Sequence, residues 1–254
     1  VLTTTDGPRV IAHRGASAAA PENTVAAFLE AARQGADAVE LDVRRTRDGV
    51  LVVAHDATWA RTTDAAELLP DRAPWRVEDL TLAEVRRLDA GSWAGPEFAG
   101  QRVPTLAETL EVLRPTGLHA LVELKAPDRH TVPLVVRDLV ATRLVPGRVT
   151  VQSFDAGAVR LLRQELPSVR VGVLFRRVSR SRVREVAGWA DLVNVHHAWL
   201  HRGLVEEADA HGLACYAWTV NQPGAVRRLL GLGVDGLVTD RPAEIRRAAA
   251  RVPA

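Results

Sequence analysis

The run Ala38-Val39-Glu40-Leu41-Asp42-Val43 is a short, β-rich segment with two carboxylates at alternate positions. Residues two apart on a strand point to the same face, so Glu40 and Asp42 share one side while Leu41 and Val43 share the other. Two like charges on a buried face repel one another unless a cation or a basic side chain stands between them. A parallel barrel accommodates this pattern, with the carboxylates facing the interior and Leu41 and Val43 facing outward against helices.

The flanking sequence supplies the rest of such a barrel. A β-rich run at 9–13 is followed by a helical stretch at about 24–34. After 38–43, the pair Asp48-Gly49 signals a hairpin turn, and 50–55 reads as an extension of the second unit. The rhythm breaks over 57–104, which is rich in Thr, Asp, Pro, Trp and Gly and holds one helical piece near 82–88. It resumes with a helix at about 105–113 and strands at 120–125, 148–153, 170–175, 192–196, 213–220 and 236–239. Helical stretches separate these strands and follow the last one. Eight β-then-α units predict a closed α/β barrel, the (β/α)8 or TIM barrel, and 254 residues is the size of one such domain. The expectation is therefore a single domain over 1–254 with an insertion at about 57–104 forming a cap over the barrel mouth, where βα loops build active sites.

Bulk properties narrow the function classes. Hydrophobic residues make up 47% and charged residues 25%, a globular balance. The net charge is only +2 although the sequence pI is 9.3. Lys125 is the sole lysine among 33 basic residues, and with one Tyr and one Cys little titrates between pH 7 and 10. No basic block is interleaved with aromatics, so nucleic acid is not an expected partner. No run approaches the roughly 18 apolar residues of a membrane span. No signal peptide is visible, which favours a cytoplasmic over a secreted location, although a leader could have been removed. Cys215 stands alone, and a buried, inert thiol is expected. The cluster Arg176, Arg177, Arg180, Arg182 and Arg184 reads as a solvated helix face.

The chemistry-bearing residues fall at strand ends. Glu123 and Lys125 repeat the two-apart pattern. Glu40, Asp42 and Glu123 together are an oxygen-rich set suited to a hard divalent cation, Mg2+ or Ca2+. The alternative is a structural ion network neutralised by Lys125 or Arg44, and the strand pattern does not separate the two. His13 and His55 end runs on the face where the carboxylates converge. A strand histidine is often a structural residue, but two at this place suit proton transfer near neutral pH.

The ordered set His13-Arg14-Gly15, Pro21-Glu22-Asn23-Thr24, Gly35 to Val43, Asp48-Gly49, His55-Asp56, Glu123-Leu124-Lys125, Trp218-Thr219-Val220-Asn221 and Thr239-Asp240-Arg241-Pro242 resembles the glycerophosphodiester phosphodiesterase family. The inserted segment resembles that family's small cap through Asp79 to Glu84, Leu88 to Ser92 and Val103 to Leu106. The resemblance covers nearly the whole chain. It implies metal-dependent hydrolysis of a small-molecule glycerophosphodiester to sn-glycerol 3-phosphate and an alcohol. By position it implies Glu40, Asp42 and Glu123 as ligands of one divalent metal ion, His13 and His55 as the acid/base pair, and Arg14 and Lys125 as phosphate-binding residues. Glu22 and Asn23 are candidates to support that site or to cap the following helix, and Trp218 to wall the pocket or close the barrel top. Ser153, Phe154, Asn194 and His196 also lie at strand ends without an assigned role. A lipid-directed phospholipase or lyase on the same barrel ranks second, because Trp59, Trp75, Trp93 and Phe98 are dispersed among charges. A catalytically dead barrel acting as a binding module ranks third, because no expected histidine or carboxylate is missing. Oligomeric state is not legible.

Overall fold

The computed structural model describes residues 7–142, 144 and 146–252. Eight parallel strands close into a barrel: β1 (Arg9–His13), β2 (Ala38–Arg45), β4 (His119–Leu124), β5 (Val149–Ser153), β6 (Arg170–Phe175), β7 (Leu192–His196), β8 (Ala214–Trp218) and β9 (Gly236–Thr239). Each pairs with the next, and β1 closes the ring by pairing with both β9 and β2. The remaining strand, β3 (Leu51–Val53), is antiparallel to β2. Their turn is the expected one: Gly49 takes a positive φ of 80°, and Thr46 Oγ1 donates to Asp48 Oδ1 at 2.7 Å.

The outer helices are α1 (Val25–Arg33), α4 (Leu106–Leu113), α5 (Thr131–Thr142), α6 (Ala156–Glu165), α7 (Arg180–Ala187), α8 (Arg202–Asp209), α9 (Pro223–Leu230) and α10 (Pro242–Ala249). Their starts follow local chemistry. Thr24 accepts from Ala27 N, Asp155 from Ala158 N and Ser179 from Arg182 N, while Thr105 and Glu108 form a capping box; such caps contribute about 1 kcal/mol each. The arginine cluster is only partly a solvated face, because Arg180 Nε and Arg184 Nε bind Glu207 at 2.7 and 3.0 Å and fasten α7 to α8.

Alternation along the strands produces two cores. Val39, Leu41, Val43, Ala120, Val122 and Leu124 face outward and join the apolar layer under the helices. Ile11, Ala38, Leu121, Leu192, Tyr216 and Val238 fill the lower interior of the barrel. Gly236 belongs to this packing, since a Cβ there would stand 2.7 Å from the Tyr216 ring and 2.8 Å from Ile11 Cδ1. Cys215 is buried, and burial pushes its thiol up to about 12.

The segment 57–104 holds the short helices α2 (Ala65–Leu68) and α3 (Leu82–Val85) among turns. It has its own core, in which Trp59, Val77, Leu80, Val85, Leu88 and Val103 pack onto Val52 and Ala54. The helix read at 82–88 is shorter than expected: the intrahelical pattern closes after α3, and Arg86 and Arg87 continue as turn before a bend at Leu88. No helix among the described residues is long and apolar enough to cross a membrane.

Candidate active site

The apolar filling stops below the C-terminal ends of the strands, where polar residues take the interior positions. Register places them side by side: His13 is the Cα partner of Glu40, Asp42 of Glu123, and Glu123 of Gln152. Glu40, Asp42 and Glu123 are all buried, at 2%, 0% and 6% exposure, and one oxygen of each lies within 4.8 Å of the others. Burial, then Asp42 and Glu123, raises the Glu40 carboxyl well above the usual carboxylate range. Burial, then Asp42, also raises Glu123. Burial opposes ionisation of Asp42 too, but Lys125 and Arg14 outweigh it and hold this carboxyl low.

The structure contains part of each alternative left open by the strand pattern. Lys125 Nζ stands 2.5 Å from Glu123 Oε1 and 3.1 Å from Asp42 Oδ1, and Arg14 Nε stands 3.4 Å from Asp42 Oδ2. Arg44 makes no direct ion pair with the three carboxylates; its Nε donates to the His55 carbonyl at 2.9 Å, and its charge acts on Asp42 and Glu123 from a distance. Beyond the Lys125 ammonium, Asp42 Oδ1 and Glu123 Oε1 have no hydrogen-bond partner among the described residues. Two buried carboxylate oxygens that share a single ammonium, beside a third carboxylate, fit a divalent cation with oxygen ligands.

Each histidine is held by a carboxylate. His13 Nδ1 lies 2.6 Å from Asp240 Oδ1, and Asp240 in turn accepts from Ser17 Oγ at 3.1 Å and from Asn221 Nδ2. His55 Nδ1 lies 2.7 Å from Asp56 Oδ1. A carboxylate can only accept, so Nδ1 carries the proton in both rings and Nε2 is left for chemistry. Burial lowers the His55 pKa, with Asp42 opposing.

Arg14 takes a left-handed φ of 57°, a conformation costly outside glycine and concentrated at functional sites. Its backbone N donates to Glu40 Oε2 at 3.0 Å and its Nη1 to Glu22 Oε1 at 2.8 Å. Gly15 follows at φ 84°, and a Cβ there would meet the Ala27 backbone at 2.7 Å, so the loop can pass close to α1 only with glycine.

These groups surround one cavity of about 200 Å3, lined by His13, Arg14, Glu40, His55, Glu123, Lys125 and Trp218 among others. Trp218 forms part of its wall, with Nε1 donating to the Asn194 carbonyl at 3.1 Å and edge-on contacts to Phe154 and His196. Glu22 and Asn23 do not line this cavity and support it from behind. Asn23 Nδ2 donates to Asp42 Oδ2 at 2.8 Å, Glu22 pairs with Arg14, and the helix cap is Thr24. Glu22 does line an adjoining groove of about 730 Å3 with His13 and Arg14.

Sequence reasoning gave no role to Asp56, Asp240, Asn221 or Gln152. Asp56 stood beside His55 and could have been found. Asp240 pairs with a residue 227 positions away, and no local pattern reveals that.

Comparisons agree with this architecture. The Bacillus subtilis protein YhdW is 39% identical over 239 residues, spanning 92% of this chain and 94% of its own. A glycerophosphodiester phosphodiesterase of Caldanaerobacter subterraneus is 34% identical, again across 92% and 94%. An Oleispira antarctica phosphodiesterase, solved with its product sn-glycerol-3-phosphate, superposes with a TM-score of 0.85 at 30% identity and covers 95% of this chain and 96% of its own. The model of the glycerophosphoryl diester phosphodiesterase family matches residues 13–244, and this chain belongs to that family.

Proposed function

We propose that the protein hydrolyses glycerophosphodiesters to sn-glycerol 3-phosphate and an alcohol, using a divalent cation and a pair of histidines. The observation that carries the reading is the opening of His13 and His55, each fixed through Nδ1 by a carboxylate, onto the same cavity as the three-carboxylate cluster. Glu40, Asp42 and Glu123 would hold the cation, and their all-oxygen character favours Mg2+ or Ca2+ over softer metals. When bound, it supplies Lewis-acid polarisation of a phosphate oxygen.

The chain's own residues account for the remaining steps. Arg14 and Lys125 offer the phosphate a planar guanidinium and a point charge. One Nε2 takes the proton from the attacking hydroxyl and the other protonates the leaving alkoxide. The attacking hydroxyl is either water or the substrate's own glycerol hydroxyl, the latter passing through a cyclic phosphate. Trp218 forms a wall against which the organic part of the substrate rests. The segment 57–104 acts as a cap on the loop of His55 rather than as a membrane-docking element. In agreement, Trp59 is buried, Trp75 is half-buried, and only Trp93 of the insertion's large apolar side chains is strongly exposed.

The test is turnover of glycerophosphocholine with and without EDTA. We expect turnover that EDTA abolishes and that Mg2+ or Ca2+ restores. Full activity in EDTA would overturn the metal assignment, and absence of turnover with any glycerophosphodiester would overturn the reading.

A further inference from the structure

We infer that Arg61, in the insertion, is a positioning residue for the reaction: it fixes Asp56 and thereby the orientation and tautomer of His55. The inference rests on the phosphodiesterase reading for its catalytic consequence, although the contacts stand independently.

Arg61 is the central member of a continuous chain of charge-assisted hydrogen bonds. Its Nε donates to Asp56 Oδ2 at 2.7 Å, while Asp56 Oδ1 holds His55 Nδ1 at 2.7 Å. Its Nη1 and Nη2 donate to Glu22 Oε2 and Oε1 at 2.8 and 2.7 Å, a two-pronged contact. Glu22 Oε1 also accepts from Arg14 Nη1 at 2.8 Å. The series Arg14–Glu22–Arg61–Asp56–His55 thus links a side chain at the mouth to the imidazole. An isolated exposed ion pair contributes little. Here one planar guanidinium engages two carboxylates from different loops, and its fork fixes the direction of each.

Local structure holds Arg61 in place. It sits in a turn between Trp59, which is 2% exposed in the insertion's core, and Thr63, whose Oγ1 donates to the Trp59 carbonyl at 2.7 Å. The insertion's core therefore sets the position of Arg61, Arg61 sets Asp56, and Asp56 sets His55. Asp56 carries the least protection of its own: its other contact is the imidazole it must hold, and without Arg61 Oδ2 is free to rotate toward solvent. Asp240 is different, because Ser17 and Asn221 restrain it from the loops that follow β1 and β8. The arrangement gives the insertion a positioning function even though none of its described residues lines the cavity of about 200 Å3.

Arg61→Ala, Arg61→Lys and Asp56→Asn test this in the full chain, with two readouts. Histidine 15N NMR reports the ring tautomer of His55 without substrate. Steady-state kinetics with glycerophosphocholine reports kcat and KM. In Arg61→Ala we expect His55 to pass from one tautomer, protonated on Nδ1, to a mixture. We expect kcat to fall at least about tenfold, a fraction of what positioned proton transfer supplies, with KM changing less. Arg61→Lys should recover part of both, and adding Asp56→Asn to Arg61→Ala should cost little more than Asp56→Asn alone. An unchanged tautomer or an unchanged kcat in folded Arg61→Ala overturns the inference, as does a loss that only follows a lowered Tm. Should Arg61→Ala fail to fold, Arg61→Lys and Asp56→Asn are read against the same two criteria. If the unsubstituted protein turns over no glycerophosphodiester, the functional reading fails, while the NMR arm still decides whether Arg61 governs His55.

Discussion

His13 and His55 are alike in their anchoring and unlike in their surroundings. His13 is held by a carboxylate that Ser17 and Asn221 hold in turn, whereas the carboxylate holding His55 depends on Arg61. Neither imidazole is needed in the all-oxygen ligand set. His13→Ala and His55→Ala should therefore each lower kcat by about 10²–10⁴-fold, the usual contribution of positioned proton transfer, while leaving cation affinity nearly unchanged. Because the two act in one relay, the double substitution should lose far less than the product of the singles. Kinetics, cation titration and Tm on the same preparations check this, and near-normal kcat in either folded single variant would remove that histidine from the mechanism. Alternation along β1 and β2 was enough to place His13, Glu40 and Asp42 on the inner face. It could not show that Asn23 would clasp Asp42, because that depends on how the loop before α1 folds back and on the left-handed φ of 59° at Asn23.

Among the elements, the strand runs were read to within one or two residues, since a buried parallel strand must be apolar on its outer face wherever it lies. The lower ends hold a device that was not read. Asp37, Asp191 and Asp235 each immediately precede a strand, and each accepts from a backbone N–H of the preceding barrel strand: Val10, Val171 and Cys215, at 2.7, 2.8 and 2.8 Å. In return each aspartate's own N–H donates to the carbonyl of the same residue at 2.9 Å. These two-bond clamps fix register at the end of the barrel where conservation of stability, not chemistry, is at stake. Asp191→Ala should cost about 1–3 kcal/mol, the penalty for stranding a buried donor, and leave kcat unchanged; urea unfolding alongside kinetics reports both. His119 lies at the same end of β4, buried against Thr150 Oγ1 at 2.9 Å. Burial, aided by Arg9 and Arg170, pushes it from 6.5 down to about 4. Between those two values the unfolded chain takes up a proton that the folded chain refuses, so this residue makes stability fall as pH drops through that window. The full loss is about 3 kcal/mol. His119→Gln should flatten the decline of unfolding free energy between pH 6.5 and 4, and an equally steep decline would exclude His119 as its source.

At the scale of the whole molecule, the barrel is apolar below and charged above, and the charged layer works against folding. Three buried carboxylates face one lysine and one arginine, and two of their oxygens have no partner beyond the Lys125 ammonium among the described residues. Burial and the neighbouring Asp42 and Glu123 raise Glu40 well above 4.5. A group raised in this way contributes its stability in full below its unfolded pKa and loses it as pH climbs through the folded one. The cation-free barrel is therefore penalised as pH rises, because the unfolded chain ionises Glu40 freely where the barrel resists it. A divalent cation that binds only the folded state offsets the penalty, adding about 2.7 kcal/mol at a hundredfold excess over Kd. Tm in EDTA should thus be lower than Tm in excess Mg2+ or Ca2+, and the gap should narrow as pH is lowered toward the ordinary carboxylate range, where protons compete with the cation. Glu40→Gln separates this from a general salt effect. The amide removes the ionisable group and with it this penalty, so Tm in EDTA should rise at neutral pH, while the rise caused by the cation should shrink or vanish together with turnover. If Glu40→Gln instead lowers Tm in EDTA and keeps the full cation-induced rise, then Glu40 is a structural partner of the Arg14 backbone and the cation binds elsewhere.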